Sequence, residues 1–361
     1  MLLPESIVRV EYLENPGLRY NDANAVLDFI VRNPTVGGSL MADVMYWLHD
    51  KPSGNLFASL KLNRGKGQFG LSVQDQLRKR LEMYREYDEE VHFTDGSTLW
   101  RKESPVGGMY NNNQLWVTAD YSYVDPDKTT FYASLNLSHQ TPNSFGYDGI
   151  LSSTYKPAGG ESTATAPLYL SVEGWHPFTV PSLNLYLDKK IDEKQSIVVD
   201  FVARYTTSRS ESSYDEYLVS DGSPVTAIGT QIRDNNWSLG LETDYIRQWR
   251  KSRLTAGLTW NGYFNRSTYV TSGNTVYHQN QNKLYAFAEY MQMLGPVTAT
   301  AGIGIEYNEQ YLRESARSLH SLHAKPRINV TWRKDWSMLR LTAGTYTRTP
   351  SLSETNPTVQ Q

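Results

Sequence analysis

Cysteine is absent from all 361 residues, which excludes a disulfide scaffold, a thiolate zinc site and a cysteine nucleophile. An excess of charge is lacking too. The 35 Lys and Arg against 38 Asp and Glu leave a formal net charge of -3, and without a basic stripe nucleic acid is excluded as a partner. No run of about 18 apolar residues occurs, so no helical membrane span is expected. The opening Met1-Leu2-Leu3-Pro4-Glu5 has no basic segment leading into an apolar one and does not read as a signal peptide, so the expectation is either a cytoplasmic protein or an incomplete chain. A mean hydropathy of -0.54 looks soluble. Transmembrane strands average out to the same value, however, because they are apolar only at alternate positions.

Aromatic residues are plentiful, with 25 Tyr and 9 Trp, and both side chains suit a surface that is half wet and half apolar. From about residue 36 to the end the chain alternates with period two. One face of a strand from Leu254 carries Leu254, Ala256, Leu258, Trp260 and Phe264, and the other Thr255, Gly257, Thr259, Asn261 and Asn265. From Val297, Val297, Ala299, Ala301, Ile303, Ile305 and Tyr307 alternate with Thr298, Thr300, Gly302, Gly304, Glu306 and Asn308. The same pattern fits 40–48, 56–62, 69–73, 115–123, 131–137, 183–187, 197–205, 237–245, 284–290, 328–332 and 339–343, giving about thirteen strands. Short turns at 63–67, 125–128, 192–195, 250–252, 294–296 and 334–335 take turns with long polar excursions at 82–113, 140–181, 208–235, 271–282 and 310–321. The first hairpin, at 50–54, is the exception. Short turns on one rim and long loops on the other are the pattern of an outer-membrane barrel. The charged stretch 76–90 keeps no apolar stripe and reads as a strand continuing into an exposed hairpin.

Alternation alone does not say which face is inside. A closed barrel of about thirteen or more strands would enclose a lumen its own side chains cannot fill, so the apolar face is expected outward, against lipid. Tyr46, Trp47, Trp116, Tyr121, Tyr123, Trp237, Tyr245, Trp249, Trp260, Tyr263 and Trp332 lie near strand ends, where interfacial girdles belong. Charged groups are then expected on the lumen side, and Asp200, Arg204, Glu242, Asp244, Glu306 and Arg340 are the candidates for contact with a plug or a ligand.

Other motifs are weak. Gly65, Gly67 and Gly70 spell G-x-G-x-x-G, but an alternating strand follows them rather than a helix, so they read as a tight turn and no cofactor is expected. His320 and His323 lack a third metal ligand nearby in the sequence, and Glu86, Asp88, Glu89 and Glu90 read as an exposed hairpin tip. No G-x-S-x-G occurs, so the chain is expected not to be an enzyme.

The segment Ile7-Val8-Arg9-Val10-Glu11-Tyr12-Leu13-Glu14-Asn15-Pro16-Gly17-Leu18-Arg19-Tyr20, followed by Ala25-Val26-Leu27-Asp28-Phe29-Ile30-Val31-Arg32, resembles the end of the plug domain in TonB-dependent outer-membrane receptors, the Bacteroidetes type above all. Arg9, Glu11, Pro16, Gly17, Tyr20, Val26 and Ile30 fit the motif, and Asp28 stands where Asn is commoner. Arg348-Thr349-Pro350-Ser351 and Asn356-Pro357 are similar to elements that begin a large barrel loop in that branch. The resemblance implies an all-β chain with the end of a plug at 1–34 and part of a transmembrane antiparallel up-and-down barrel at 35–361, about 13 of the family's 22 strands. It implies an internal fragment or truncated reading frame, with the signal peptide, most of the plug and about nine strands missing. It further implies location in the Gram-negative outer membrane and energised uptake of an extracellular ligand such as a siderophore, glycan or peptide. The implied partners are outer-membrane lipid and, through the missing N-terminal part, the TonB energy-coupling complex. A passive porin-like channel and a soluble all-β binding module are the alternatives.

Overall fold

The computed structural model describes residues 7–14, 25–31, 36–46, 53–125, 127–345 and 347. Strands β1 (Ile7–Glu14) and β2 (Ala25–Val31) pair antiparallel as a small sheet of their own. The chain continues as β3 (Val36–Tyr46), β4 (Ser53–Arg64), β5 (Gly67–Glu82), β6 (Tyr87–His92), β7 (Thr98–Asp125), β8 (Thr129–Lys156), β9 (Thr163–Ala164), β10 (Leu168–Trp175) and β11 (Phe178–Asp192). Then follow β12 (Gln195–Leu218), β13 (Pro224–Gln248), β14 (Ser252–Tyr269), β15 (Thr275–Leu294), β16 (Val297–Leu312), β17 (Arg317–Lys334) and β18 (Ser337–Gly344). These form one antiparallel sheet of 16 strands that follows the chain from β3 to β18, with β6 beside β7, β9 beside β8, and β10 and β11 both between β8 and β12. The fold is all-β, and no helix occurs among the described residues.

Two traversals of the sheet are interrupted. Both β5 and β6 lie against β7, with residues 83–86 between them, and both β10 and β11 lie between β8 and β12, separated by His176-Pro177. The proline has no N–H to give a ladder. Every alternating stretch read from the sequence falls inside one of these strands, except that 40–48 runs beyond the end of β3 into residues outside the described ones, and 76–90 is the end of β5 and the start of β6.

The short connections sit where turn chemistry places them. Gly65 and Gly295 adopt φ of 60 and 64 at the first position of two-residue turns, and Asp335 adopts φ 50 at the equivalent place. Such turns need φ > 0 there, which glycine takes without strain and Asp tolerates. Gly65 is therefore a turn residue and Gly67 and Gly70 open β5. The hairpin at 50–54 lies partly outside the described residues.

The long excursions are not loops, which corrects the sequence reading. Segment 82–113 is mostly β6 and the first half of β7; 140–181 is the end of β8 with β9, β10 and the start of β11; 208–235 is the β12–β13 hairpin. Segments 271–282 and 310–321 are likewise tight turns with strand on either side. Neither face of these extensions is apolar, so no alternation marks them, yet the ladder continues because backbone groups pair whatever the side chains are. At the resulting tips, Asp221 accepts the Ser223 backbone N–H at 2.9 Å. That bond, with the Ser223 hydroxyl, holds the Asp221 carboxyl below its usual range.

The two faces differ in the sense opposite to a soluble protein. On β16, Ile303 and Ile305 are 52% and 51% exposed, while Glu306 is fully covered and Asn308 and Gln310 nearly so. On β15, Tyr285, Phe287 and Glu289 are buried and Leu284 and Tyr290 exposed; on β17, Lys325 and Arg327 are buried and Leu322 and Ile328 exposed. All substantial contacts within this sheet join hydrogen-bonded neighbours. The polar face is therefore covered by its own long side chains and the curl of the sheet, not by a second layer.

Candidate functional site

Register assembles the polar face. Asp200 on β12 lies opposite Glu242 on β13, Glu242 opposite Thr259, Thr259 opposite Tyr285, and Tyr285 opposite Glu306. Asp244 lies opposite Val198, one step along the same face. All six charged candidates fall on this face, but they are spread over it: Asp200, Glu242 and Asp244 neighbour one another on β12 and β13, and Glu306 lies on β16, beyond β14 and β15. Arg204 is exposed, opposite Ser238, and Arg340 is half-buried on β18, opposite Thr331.

Glu306 is the centre of a compact ionic group with two lysines. Its Oε2 receives Lys283 Nζ at 3.1 Å from β15 and Lys325 Nζ at 2.9 Å from β17. Lys325 also lies 5.6 Å above the Tyr285 ring, where a desolvated cation is attracted to the π face. Lys283, Lys325, Arg327 and Glu289 were not singled out from sequence. Alternation carried back from Ile328 would have placed Arg327 and Lys325 here, but their partners depend on register.

Two glycines make room for rings. A Cβ on Gly304 would meet the Tyr285 ring at 2.5 Å, and one on Gly257 would meet Asp244 Oδ1 at 2.1 Å and Phe287 at 2.5 Å. Gly304→Ala should therefore lift Tyr285 off the sheet and cost about 1–3 kcal/mol, the usual cost of overpacking. Chemical unfolding of the reconstituted protein measures it, and Gly302→Ala on the same strand serves as control.

The charged face continues upward, since β12 keeps one register with β13 nearly to its end. Arg101 Nη2 donates to Glu216 Oε1 at 3.2 Å, Tyr214 donates to the same oxygen at 2.7 Å, and Thr226 donates to Oε2 at 2.8 Å. Nearby, Arg85 Nε stands 3.4 Å from the fully covered Glu103 and hydrogen-bonds the Tyr147 phenol, with its guanidinium 4.6 Å from the Tyr87 ring. Such an arrangement can hold a polar ligand or a polar protein segment. A hollow of about 710 Å³, lined by Gly107, Gly146, Trp175, Glu173 and Glu211 among others, lies on the same extensions.

The remaining sequence candidates are scattered. On β1, Arg9 and Glu11 form an ion pair at 2.6 Å, Val26 stands opposite Leu13, and Ile30 opposite Arg9. Pro16, Gly17 and Tyr20 lie outside the described residues, as do Arg348–Ser351 and Asn356-Pro357. His320 stacks on Tyr307 on the apolar face, whereas His323 stands opposite Glu306 on the polar face, so the two cannot share an ion. Glu86, Asp88, Glu89 and Glu90 are exposed. Of the proposed girdle, Trp116 and Tyr263 are corrected: register puts them with Thr118 and Ser238 on the polar face. Trp47 lies outside the described residues.

No family model and no curated protein matches the sequence. Among solved structures the chain is similar to the outer membrane protease OmpT from Escherichia coli, with 9% identity, a TM-score of 0.24, and coverage of 76% of this chain and 95% of that one. A likeness that weak carries no argument about activity. The expectation that this chain is not an enzyme is corrected: it rested only on missing motifs, and the structure that the chain is similar to is a protease.

Proposed function

We propose that this chain is part of an outer-membrane β-barrel receptor of the TonB-dependent type, with the end of a plug at 1–34 and barrel strands at 35–361, serving energised uptake of a polar extracellular ligand. The inversion of the two faces carries the reading, because charge covered and aliphatic side chains exposed is stable only where the outside is hydrocarbon. The height of the apolar band agrees. On the exposed face it runs from Tyr245 to Trp237 on β13 and from Ile197 to Tyr205 on β12. That is about nine residues, the length with which a tilted strand crosses a bilayer. Aromatic rings bound it: Tyr205, Trp237 and Phe264 are cross-strand neighbours on one side, with the first two rings 4.8 Å apart. Tyr123, Phe131, Tyr290 and Trp332 lie by the short turns. The Arg9–Glu11 strand and the covered charges supply the plug end and a polar wall for it to meet.

The rival is a passive channel. In planar bilayers, the protein isolated from cell membranes in its natural form should show no steady ion conductance, because a plug fills the lumen, and should open only when mild denaturant loosens the plug. A steadily open channel under native conditions would overturn the receptor reading in favour of a porin.

A further inference from the structure

Immediately above the aromatic row, the outward face turns basic. Arg209 on β12 stands directly opposite Arg233 on β13, and Arg266 on β14, opposite Asn235, is the diagonal neighbour of Arg233. Like charges directly across a sheet destabilise it, so this arrangement calls for an anion. Glu211 answers Arg209, but no described carboxylate pairs with Arg233 or Arg266, and both are exposed. The three lie two to four residues beyond Phe264, Tyr205 and Trp237. At the rise of a strand that is about 7–13 Å, which is headgroup level on the side of the long hairpins.

We propose that Arg233 and Arg266, with Arg209 beside them, form a binding site for the phosphate of a membrane lipid headgroup in the leaflet next to the long hairpins. This rests on the membrane reading above. The guanidinium fork matches phosphate oxygens two at a time, and the apolar face below Phe264 continues directly into the site. A lipid can therefore lay its chains on Leu239 and Leu241 while its phosphate meets the arginines. A free anion would have no use for that continuity.

The test uses the protein in phosphatidylcholine nanodiscs doped with a phosphorylated glycolipid, with retained lipid counted by mass spectrometry. The wild type should enrich the phosphorylated lipid, and Arg233→Gln with Arg266→Gln should weaken retention about thirtyfold, two arginines' share of a surface interaction. The Arg→Lys pair, which keeps the charge, should retain part of the enrichment and shows that a loss is not misfolding. Equal retention by wild type and the Gln pair in intact discs would overturn this site while leaving the membrane reading standing. Competition by inorganic phosphate in detergent as strong as by the lipid would overturn the lipid as ligand. Failure of the wild type to enter phosphatidylcholine discs at all would overturn both.

Discussion

Replacing Glu306 with Gln should destabilise the protein by about 3–5 kcal/mol, the cost of removing one partner from a buried ion pair. Glu306 is fully covered and Lys325 2% exposed, and both Lys325 and Lys283 direct their ammonium groups at the same carboxylate oxygen. Without that carboxylate the two ammonium groups that met on it face each other, and Lys325, above the Tyr285 ring, has little access to water. The loss should be mostly relieved by Lys325→Met in the same chain, since taking out the buried cation together with its partner leaves only Lys283, which is 30% exposed and can turn toward water. Unfolding in urea from lipid bilayers, run for both single variants and the double variant, yields the coupling. A double variant that is as unstable as the sum of the singles would show that Glu306 and Lys325 do not act together.

The second large effect is one of facing. Arg at Leu258 or Ile303 should cost about 2–4 kcal/mol in a bilayer, falling toward the interfaces, while Arg at Thr259 should cost far less. Leu258 and Ile303 are 47% and 52% exposed on the aliphatic side, whereas Thr259 stands opposite Glu242, which offers a new cation its partner. Equal costs at Leu258 and Thr259 would mean that hydrocarbon does not cover the aliphatic face.

Alternation exposed most of the sheet to sequence reading because one face of each central segment meets a uniform environment. From Leu254 to Phe264 and Val297 to Tyr307 the chain has to repeat aliphatic, polar, aliphatic, and any slip would bury charge in the wrong medium. The six charged candidates followed from the same parity. What stayed illegible had two causes. Ser208 to Ser213 and Asn111 to Asn113 are polar on both faces, so strand and loop look alike in sequence. Glu306 meeting Lys283 and Lys325, or Arg101 meeting Glu216 across 115 positions, depends on register between strands and leaves no local signal.

The strands are unequal in a way that shapes approach from outside. β7 and β8 each run 28 residues and β12 and β13 run 24 and 25, but β16 has only 16 and β17 has 18. All start from short turns on one side, so the surplus of twelve residues between β8 and β16, about 40 Å of extended chain, rises entirely on the other. Among the described strands the rim is a slope with a high wall and a low threshold. A bulky visitor descending from the wet side would be caught first by the tips at 93–97, 157–162 and 219–223, and would find its way in over the turns at 270–274 and 313–316.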